Sequence, residues 1–245
     1  MSRLAHVAAG LGAGVLLVGT AAASGGNGIE DEPADVIAQK GRQSLLEARS
    51  LRWEGRTKDA SGSYVVDFRL DREGNCTGTV ELAPHKGRIE IVKRGQDVWM
   101  KPDATFWKTQ VPEKAEALIQ LLNGRWMHGH ADDPELRQLS SSCDVSHLQR
   151  EYLPGPFATE DVKKGGKALV KETPAITVTG RSGADWATLY VATEGKPLLL
   201  RIQGQTDGTQ GEADFSEYDK PVPSKTPTPA ESVDVSELQR TGAGG

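Results

Sequence analysis

The stretch from Ser63 to Asp103 constrains the fold most strongly, because apolar and polar residues alternate along it in four runs. A turn that contains glycine separates each run from the next, at 73–75, 84–87 and 95–96. Alternation of period two, bounded by such turns, predicts an antiparallel meander with one apolar face and one polar face. The predicted apolar face consists of Tyr64, Val66, Phe68, Leu70, Val80, Leu82, Ile89, Ile91, Val98 and Met100. Whatever covers this face is expected to decide the function.

The rest of the chain supplies further strands and a set of helices. A helix is predicted from about Pro33 to Ser50, a strand follows at 51–58, and the segment 102–152 is predicted to be a helical insertion. Alternation resumes after the insertion, and one of its runs adds Leu198, Leu200 and Ile202 to the apolar face. We therefore predict an α+β fold, a curved antiparallel half-barrel of about ten strands with helices packed in and over its concave face.

The width of this sheet indicates that it must curl. About ten strands spaced by about 4.8 Å span roughly 48 Å, whereas one helix covers about 10 Å. A flat sheet would leave a large exposed apolar patch, which soluble monomers rarely have. A sheet that curls around a few helices either encloses an apolar cavity or closes on a solid core. The residues alone leave both outcomes open.

The two ends of the chain are predicted to lie outside the folded domain. Residues 1–23 have the pattern of a secretory signal peptide, with an early arginine, an apolar run and three alanines before Ser24. The alternative is an uncleaved membrane anchor, although the apolar run is short for a full span. Residues 24–33 are predicted to be a flexible tether, 34–223 the folded domain, and 224–245 a disordered tail rich in Pro, Thr and Gly.

The two cysteines of the chain are candidates for a disulfide, because export exposes a protein to oxidising conditions. Cys76 lies in phase with Val80 and Leu82 on the apolar face of its predicted strand, and Cys143 lies near a predicted helix start. We predict that Cys76 and Cys143 form a bridge. The alternative is two separate buried thiols.

Sequence signals for catalysis, cofactors and nucleic acid are weak. The net charge is −5 and the basic residues are scattered, whereas a nucleic-acid-binding protein needs a basic face. His128 and His130 lie near Asp132 and Asp133, but two such histidines without a third nitrogen ligand are usually exposed to solvent. The sequence contains neither a G-x-S-x-G nucleophile motif nor a phosphate-binding loop. We therefore predict no enzyme activity, no metal, no cofactor and no nucleic-acid partner.

Several local motifs, taken in order, resemble a known family. They are Gly74-Asn75-Cys76-x-Gly78, Asp97 to Asp103, Phe106-Trp107, Cys143-Asp144 and Leu189 to Thr193. Over about residues 34–220 this order resembles actinobacterial envelope lipoproteins, as a distant relative of the mycobacterial LppX/LprG group and of the LolA/LolB lipoprotein carriers. The resemblance implies a curved antiparallel half-barrel with helices over its mouth and an apolar cavity for acyl chains.

One position departs from the pattern of this family. Such lipoproteins carry an acylated cysteine just after the apolar segment, and here Ser24 occupies the corresponding place. Cys76 is too far along the chain to replace it. The departure argues against a lipid anchor, and we expect an exported protein that is secreted or associated with the cell envelope.

These observations predict a non-enzymatic protein that binds or carries a lipid or other hydrophobic ligand outside the cytoplasmic membrane. Its ligand-binding residues would be those of the apolar face, including Leu198, Leu200 and Ile202. The alternative is an envelope sensor or interaction module on the same fold, which regulates a membrane-bound protein partner and has a filled cavity.

Overall fold

The computed structural model describes residues 25–59, 62–83, 85–152 and 162–240. The strands are β1 (Ser50–Asp59), β2 (Gly62–Asp71), β3 (Cys76–Ala83), β4 (Gly87–Arg94), β5 (Asp97–Pro102), β6 (Trp126–His130), β7 (Val162–Val170), β8 (Thr173–Ser182), β9 (Asp185–Ala192), β10 (Leu199–Thr206), β11 (Thr209–Ser216) and β12 (Ser232–Asp234). The α-helices are α1 (Ala34–Glu47), α2 (Ala104–Gln110), α3 (Ala115–Leu122), α4 (Pro134–Ser141), α5 (Val145–Tyr152) and α6 (Val235–Arg240). The predicted signal peptide, Ser24 and residues 241–245 of the tail lie outside the described residues.

The described strands form one sheet of twelve, in the order β12-β6-β5-β4-β3-β2-β1-β11-β10-β9-β8-β7. Each neighbouring pair is antiparallel except β12 and β6, which are parallel. The sheet is open, because β7 and β12 lie at its opposite edges. The predicted fold class, an α+β protein built on a curved half-barrel, is confirmed. The sheet has more strands than predicted, because β6 and β12 extend it at one edge.

The pairing register places the alternating apolar residues of the meander on one face of the sheet. Phe68 lies opposite Trp53 of β1 and opposite Gly78 of β3, and Trp53 lies opposite Phe215 of β11. Paired residues share a face, so a single apolar layer runs across the middle of the sheet. Gly78 is required there, because a Cβ at this position would overlap the backbone of Asp67 and the ring of Phe68.

The opposite, convex face of the central strands carries ion pairs. Arg52 binds both carboxylate oxygens of Asp67, each at 2.8 Å, and Arg201 does the same to Asp214 at 2.5 and 2.8 Å. The hydrogen bond from Arg52 lowers the pKa of the Asp67 carboxyl below its usual value. Because partly exposed pairs contribute little stability, these charges mainly keep this face solvated. The polar residues that alternate with the apolar ones in the sequence therefore lie on the solvent-facing, convex side of the sheet.

Helices cover the concave face from two directions. α1 packs against β7, β8, β9 and β10, and it sits so close that a Cβ at Gly41 would lie 2.7 Å from Cγ2 of Val191. The pair α4–α5 approaches from the other side and is attached by the disulfide between Cys76 and Cys143, whose Cα atoms are 5.3 Å apart. The predicted bridge is confirmed. Gln149 of α5 donates to the carbonyl oxygen of Leu45 at 2.8 Å, which joins the two helical covers.

Both segments predicted to lie outside the folded domain contain ordered elements among the described residues. In the predicted tether, Ile29 is buried, and the side-chain amide of Asn27 donates to the carbonyl oxygen of Ala192 at 3.0 Å. In the predicted tail, β12 pairs with β6, and Val233 and Val235 are buried. A few well-placed apolar residues offset the entropy of ordering these polar segments.

Candidate ligand-binding face

The predicted ligand-binding residues of the meander lie on the concave face, and their exposure changes along the strands. Near the disulfide the wall is sealed: Leu70 and Val98 are 0% exposed and Phe68 is 1% exposed. Toward the β1–β2 hairpin, Tyr64 is 39% exposed, and Val80 and Leu82 are half-buried. The remaining predicted residues of this set are buried, namely Val66, Ile89, Ile91 and Met100. Among the described residues of the meander, the apolar wall therefore opens toward the β1–β2 hairpin.

We call this open end the concave mouth and define it by the exposed Tyr64 and the half-buried Val80 and Leu82, with the buried Val66 and Ile202 at its inner edge. Register places them on one face, because Tyr64 lies opposite Leu82 and Val66 lies opposite Val80. The row that contains Val66 continues through small residues to Ile202, passing Gly55 of β1 and Ala213 of β11. The next row toward the hairpin passes through Gly211, Gly204, Ala187 and Gly180. Both rows therefore carry mainly small side chains between the meander and the far wall.

Trp53 borders the concave mouth, and it was not among the ligand-binding residues predicted from the sequence. A Cβ at Gly55 would lie 2.8 Å from Nε1 of Trp53 and 2.8 Å from Cγ2 of Val66, so the indole lies over this glycine. Trp53 is half-buried, and its ring centroid is 5.9 Å from that of Phe68. Leu51, Trp53 and Gly55 are spaced two residues apart along β1, and this spacing could have placed Trp53 on the apolar face.

The far wall differs in detail from the predicted alternation. The pairing of β10 with β9 shifts register between Leu199 and Arg201, so Leu199 pairs with Val191 and is fully buried. Leu198 and Leu200 are only half-buried, whereas Ile202 keeps its place on the concave face. A bulge of this kind adds one residue and breaks the period of two. Leu199 and Ile202 form this wall together.

The sealed end of the concave face carries one cation. Lys93 lies opposite Cys76 and donates to the carbonyl oxygen of Gly74 at 3.1 Å. Burial lowers the pKa of the Lys93 ammonium, and nearby Asp144 and Asp71 partly oppose that shift. A desolvated charge beside the disulfide makes this end unfavourable for an apolar chain, which leaves the mouth as the favourable end.

Two clefts stand out in the described part of the chain, and neither is lined by a predicted ligand-binding residue. One, of about 280 Å³, lies beside His128, His130 and Asp234, and the other, of about 190 Å³, lies beside Arg88 and Trp107. The predicted cavity on the concave face stays a prediction.

The two histidines of the larger cleft each contact a different aspartate. His128 stacks on Trp99, with ring centroids 4.7 Å apart, and its Nε2 lies 3.3 Å from Oδ1 of Asp97. Nδ1 of His130 lies 2.9 Å from Oδ1 of Asp132. Across the four described ranges, no group of three or more His, Cys, Asp or Glu side chains is arranged to hold a metal ion. The cleft therefore offers no assembled metal centre within those ranges.

Comparison of structures decides the fold. LprF from Mycobacterium bovis matches with a TM-score of 0.51 at 14% identity, over 80% of this chain and 97% of LprF. The chain has the fold of LprF. LppX from Mycobacterium tuberculosis matches with a TM-score of 0.49 at 13% identity, over 78% of this chain and 98% of LppX. A LolA superfamily protein from Nitrosomonas europaea matches with a TM-score of 0.23 at 10% identity, over 78% of this chain and 96% of that protein.

The resemblance predicted from local motifs is thus confirmed at the level of the fold. No protein-family model matches the chain, and no curated protein sequence matches it. Among the residues that the structure describes, no helix is long and apolar enough to cross a membrane.

Proposed function

We propose that this protein is an exported, non-enzymatic binder or carrier of a lipid or other hydrophobic ligand outside the cytoplasmic membrane. The observation that supports the proposal is the exposure gradient along one apolar face, from 0% at Leu70 to 39% at Tyr64. An apolar chain would enter at the concave mouth and lie against Val80, Leu82 and Trp53.

The energetics of such a site need no polar anchor. Each methylene transferred from water to an apolar surface gains about 0.8 kcal/mol, so about ten buried methylenes supply about 8 kcal/mol before the cost of association. A bound chain would cover the exposed part of Tyr64. We expect selectivity for chain length rather than for a headgroup.

A second candidate function uses the same fold without a ligand. Phe68, Leu70, Ile91 and Val98 are each 1% exposed or less, which is the packing of a filled core. This observation favours an interaction module that regulates a membrane-bound protein, as the alternative prediction states. The two functions predict different molecules bound to the protein in its host. The binder would carry a lipid or other apolar molecule, whereas the interaction module would carry a specific protein partner.

Organic extraction of protein purified from its native host, followed by mass spectrometry, tests the proposal. We expect a stoichiometric amount of a lipid or other apolar molecule, because the mouth exposes apolar side chains that a ligand would cover. A heat-denatured sample of the same preparation serves as the control for loosely adsorbed lipid. A clean extract from protein that co-purifies with one specific protein partner would contradict the binder and support the interaction module.

A further inference from the structure

A second surface lies apart from the concave mouth, where α2 and α3 pack beside β4 and β5. It is the cleft of about 190 Å³, and we call it the α2–α3 cleft. Its apolar part is formed by Trp107, Ile119 and Leu122, of which Trp107 and Leu122 are buried and Ile119 is half-buried. Its cationic part is formed by Arg88, Lys101 and Arg125. An apolar floor with a basic rim is thus present on a chain whose net charge is −5.

Backbone contacts hold two elements of this cleft together. The Asp103 amide donates to the carbonyl oxygen of Arg88 at 2.9 Å, and the Asp103 carboxylate caps α2 by accepting from the Phe106 amide at 2.7 Å. Arg88 is therefore attached directly to the start of the helix that carries Trp107. Asp103 thus positions both Arg88 of the basic rim and Trp107 of the apolar floor.

Arg125 is positioned by the end of α3. Its guanidinium donates to the carbonyl oxygens of Leu121 at 2.9 Å and Leu122 at 3.2 Å, the last residues of that helix. These are helix-terminal carbonyls rather than a carboxylate, so the positive charge stays available to a ligand. Because Leu122 also lines the cleft, the charge lies next to its apolar floor.

More basic than acidic side chains line the rim of the cleft. Two acidic residues also line the cleft, Glu90 and Asp103, but the Asp103 carboxylate is engaged in the cap of α2. Arg88 lies opposite Glu81 in the register of β3 and β4, without an ion pair within the described ranges. Lys101 lies opposite Glu90, its ammonium is 5.7 Å from the ring centroid of Trp126, and it interacts electrostatically with the Glu231 carboxylate. Three cations line the cleft against two carboxylates, one of which caps α2, and this excess favours an anionic ligand.

The volume decides which class of anionic ligand fits. Small-molecule sites usually enclose about 300–1,000 Å³, so this cleft is too small for a whole ligand or an acyl chain. It suits one bulky apolar side chain, of the kind that anchors a protein–protein contact. We propose that the α2–α3 cleft docks an acidic segment of a partner protein, with one aromatic or large aliphatic side chain inserted between Trp107 and Ile119.

The test is a titration of the full mature chain with the synthetic peptide Asp-Asp-Phe-Asp-Asp, followed by amide and indole NMR. Resonances of Trp107, Ile119 and Gly124 are expected to shift on binding. Replacing the peptide's phenylalanine with alanine should weaken binding by about tenfold or more, because the buried anchor is lost. The double variant Arg88→Glu, Lys101→Glu should weaken it by at least as much, because it reverses the rim charge. Lys196→Glu, an exposed charge reversal in the β9–β10 turn, is the matched control and should leave binding unchanged.

A variant that fills the cleft gives independent evidence. Ile119→Trp should abolish the shifts while the far-ultraviolet circular dichroism stays that of the parent, since Ile119 is only half-buried. Equal binding of the alanine peptide, or shifts confined to other residues, would overturn the proposal. Phosphatidylglycerol vesicles that shift these resonances when the peptide does not would also overturn it, in favour of a lipid surface. Neither result affects the ligand of the concave mouth, which organic extraction tests separately.

Discussion

Replacing Cys76 with serine is expected to lower the free energy of unfolding by about 4 kcal/mol in the chain-entropy model. The cysteines are 67 residues apart in sequence, so the bridge closes a long loop and removes much of the entropy of the unfolded chain. The bridge also joins β3 to the connection between α4 and α5, so its loss frees the helical cover of the concave face. Urea denaturation of the oxidised protein and the variant measures the effect.

The matched variants for this prediction are Cys143→Ser and the double variant. Both single variants should lose the same stability, and the double variant should lose little more, because the two residues make one interaction. Ser142→Ala, next to the bridge, should be nearly neutral. A loss of less than about 1 kcal/mol in both single variants would mean that the bridge contributes little, contrary to the loop-closure argument.

The variant Val80→Trp is expected to abolish ligand binding while it changes the melting temperature only slightly. Val80 is half-buried at the concave mouth, opposite Val66 and Ile89. An indole there can extend into the mouth and take the place of the ligand chain instead of pressing into the packed core. Equilibrium binding of a fluorescent fatty acid and a thermal melt of the same samples measure the two effects.

Thr79→Trp is the matched control, because Thr79 is the neighbouring half-buried residue on the convex face, opposite Asp67 and Glu90. It should leave binding of the fatty acid unchanged. If the mouth were solid core instead, Val80→Trp would overpack it at a cost of about 1–3 kcal/mol. A large fall in melting temperature for Val80→Trp, with no binding in the parent, would show that the binder proposal is wrong.

The sequence predicted the central meander well because its side chains alternate with a period of two and its turns carry glycine. In the observed register, Tyr64, Val66, Phe68 and Leu70 share one face, and a shift by one residue would have moved them all to solvent. The bridge between Cys76 and Cys143 was predictable for a related reason. Cys76 is in phase with that buried face, and only one partner cysteine exists.

Other parts of the candidate site depend on contacts that no local pattern contains. The bulge at Leu199 changes which leucine is buried, and its cause lies in pairing with β9 rather than in the run Leu198-Leu199-Leu200 itself. The position of the Trp53 indole over Gly55 likewise depends on Val66 of the neighbouring strand. The helix-rich cover of the wall decides how much of it is exposed, and that cover comes from distant segments.

The segment that follows the predicted domain carries order that its composition does not indicate. The segment around Val233 and Val235 is dominated by Pro, Ser, Thr and Glu, which usually indicates disorder. The two valines are nevertheless buried, and β12 covers the otherwise unpaired edge of β6. A three-residue parallel strand has too few residues to show a period, so only the tertiary structure reveals it.

The central claim is that an apolar chain occupies the concave mouth, and anomalous diffraction tests it most directly. Crystals of the protein from residue 24 onward, grown with a terminally brominated fatty acid, would locate the end of the fatty-acid chain. We expect the bromine within about 4.5 Å of a side chain of the mouth, such as Tyr64, Val80 or Leu82. A bromine found only on the convex face or in the α2–α3 cleft, or none at saturating ligand, would contradict the claim.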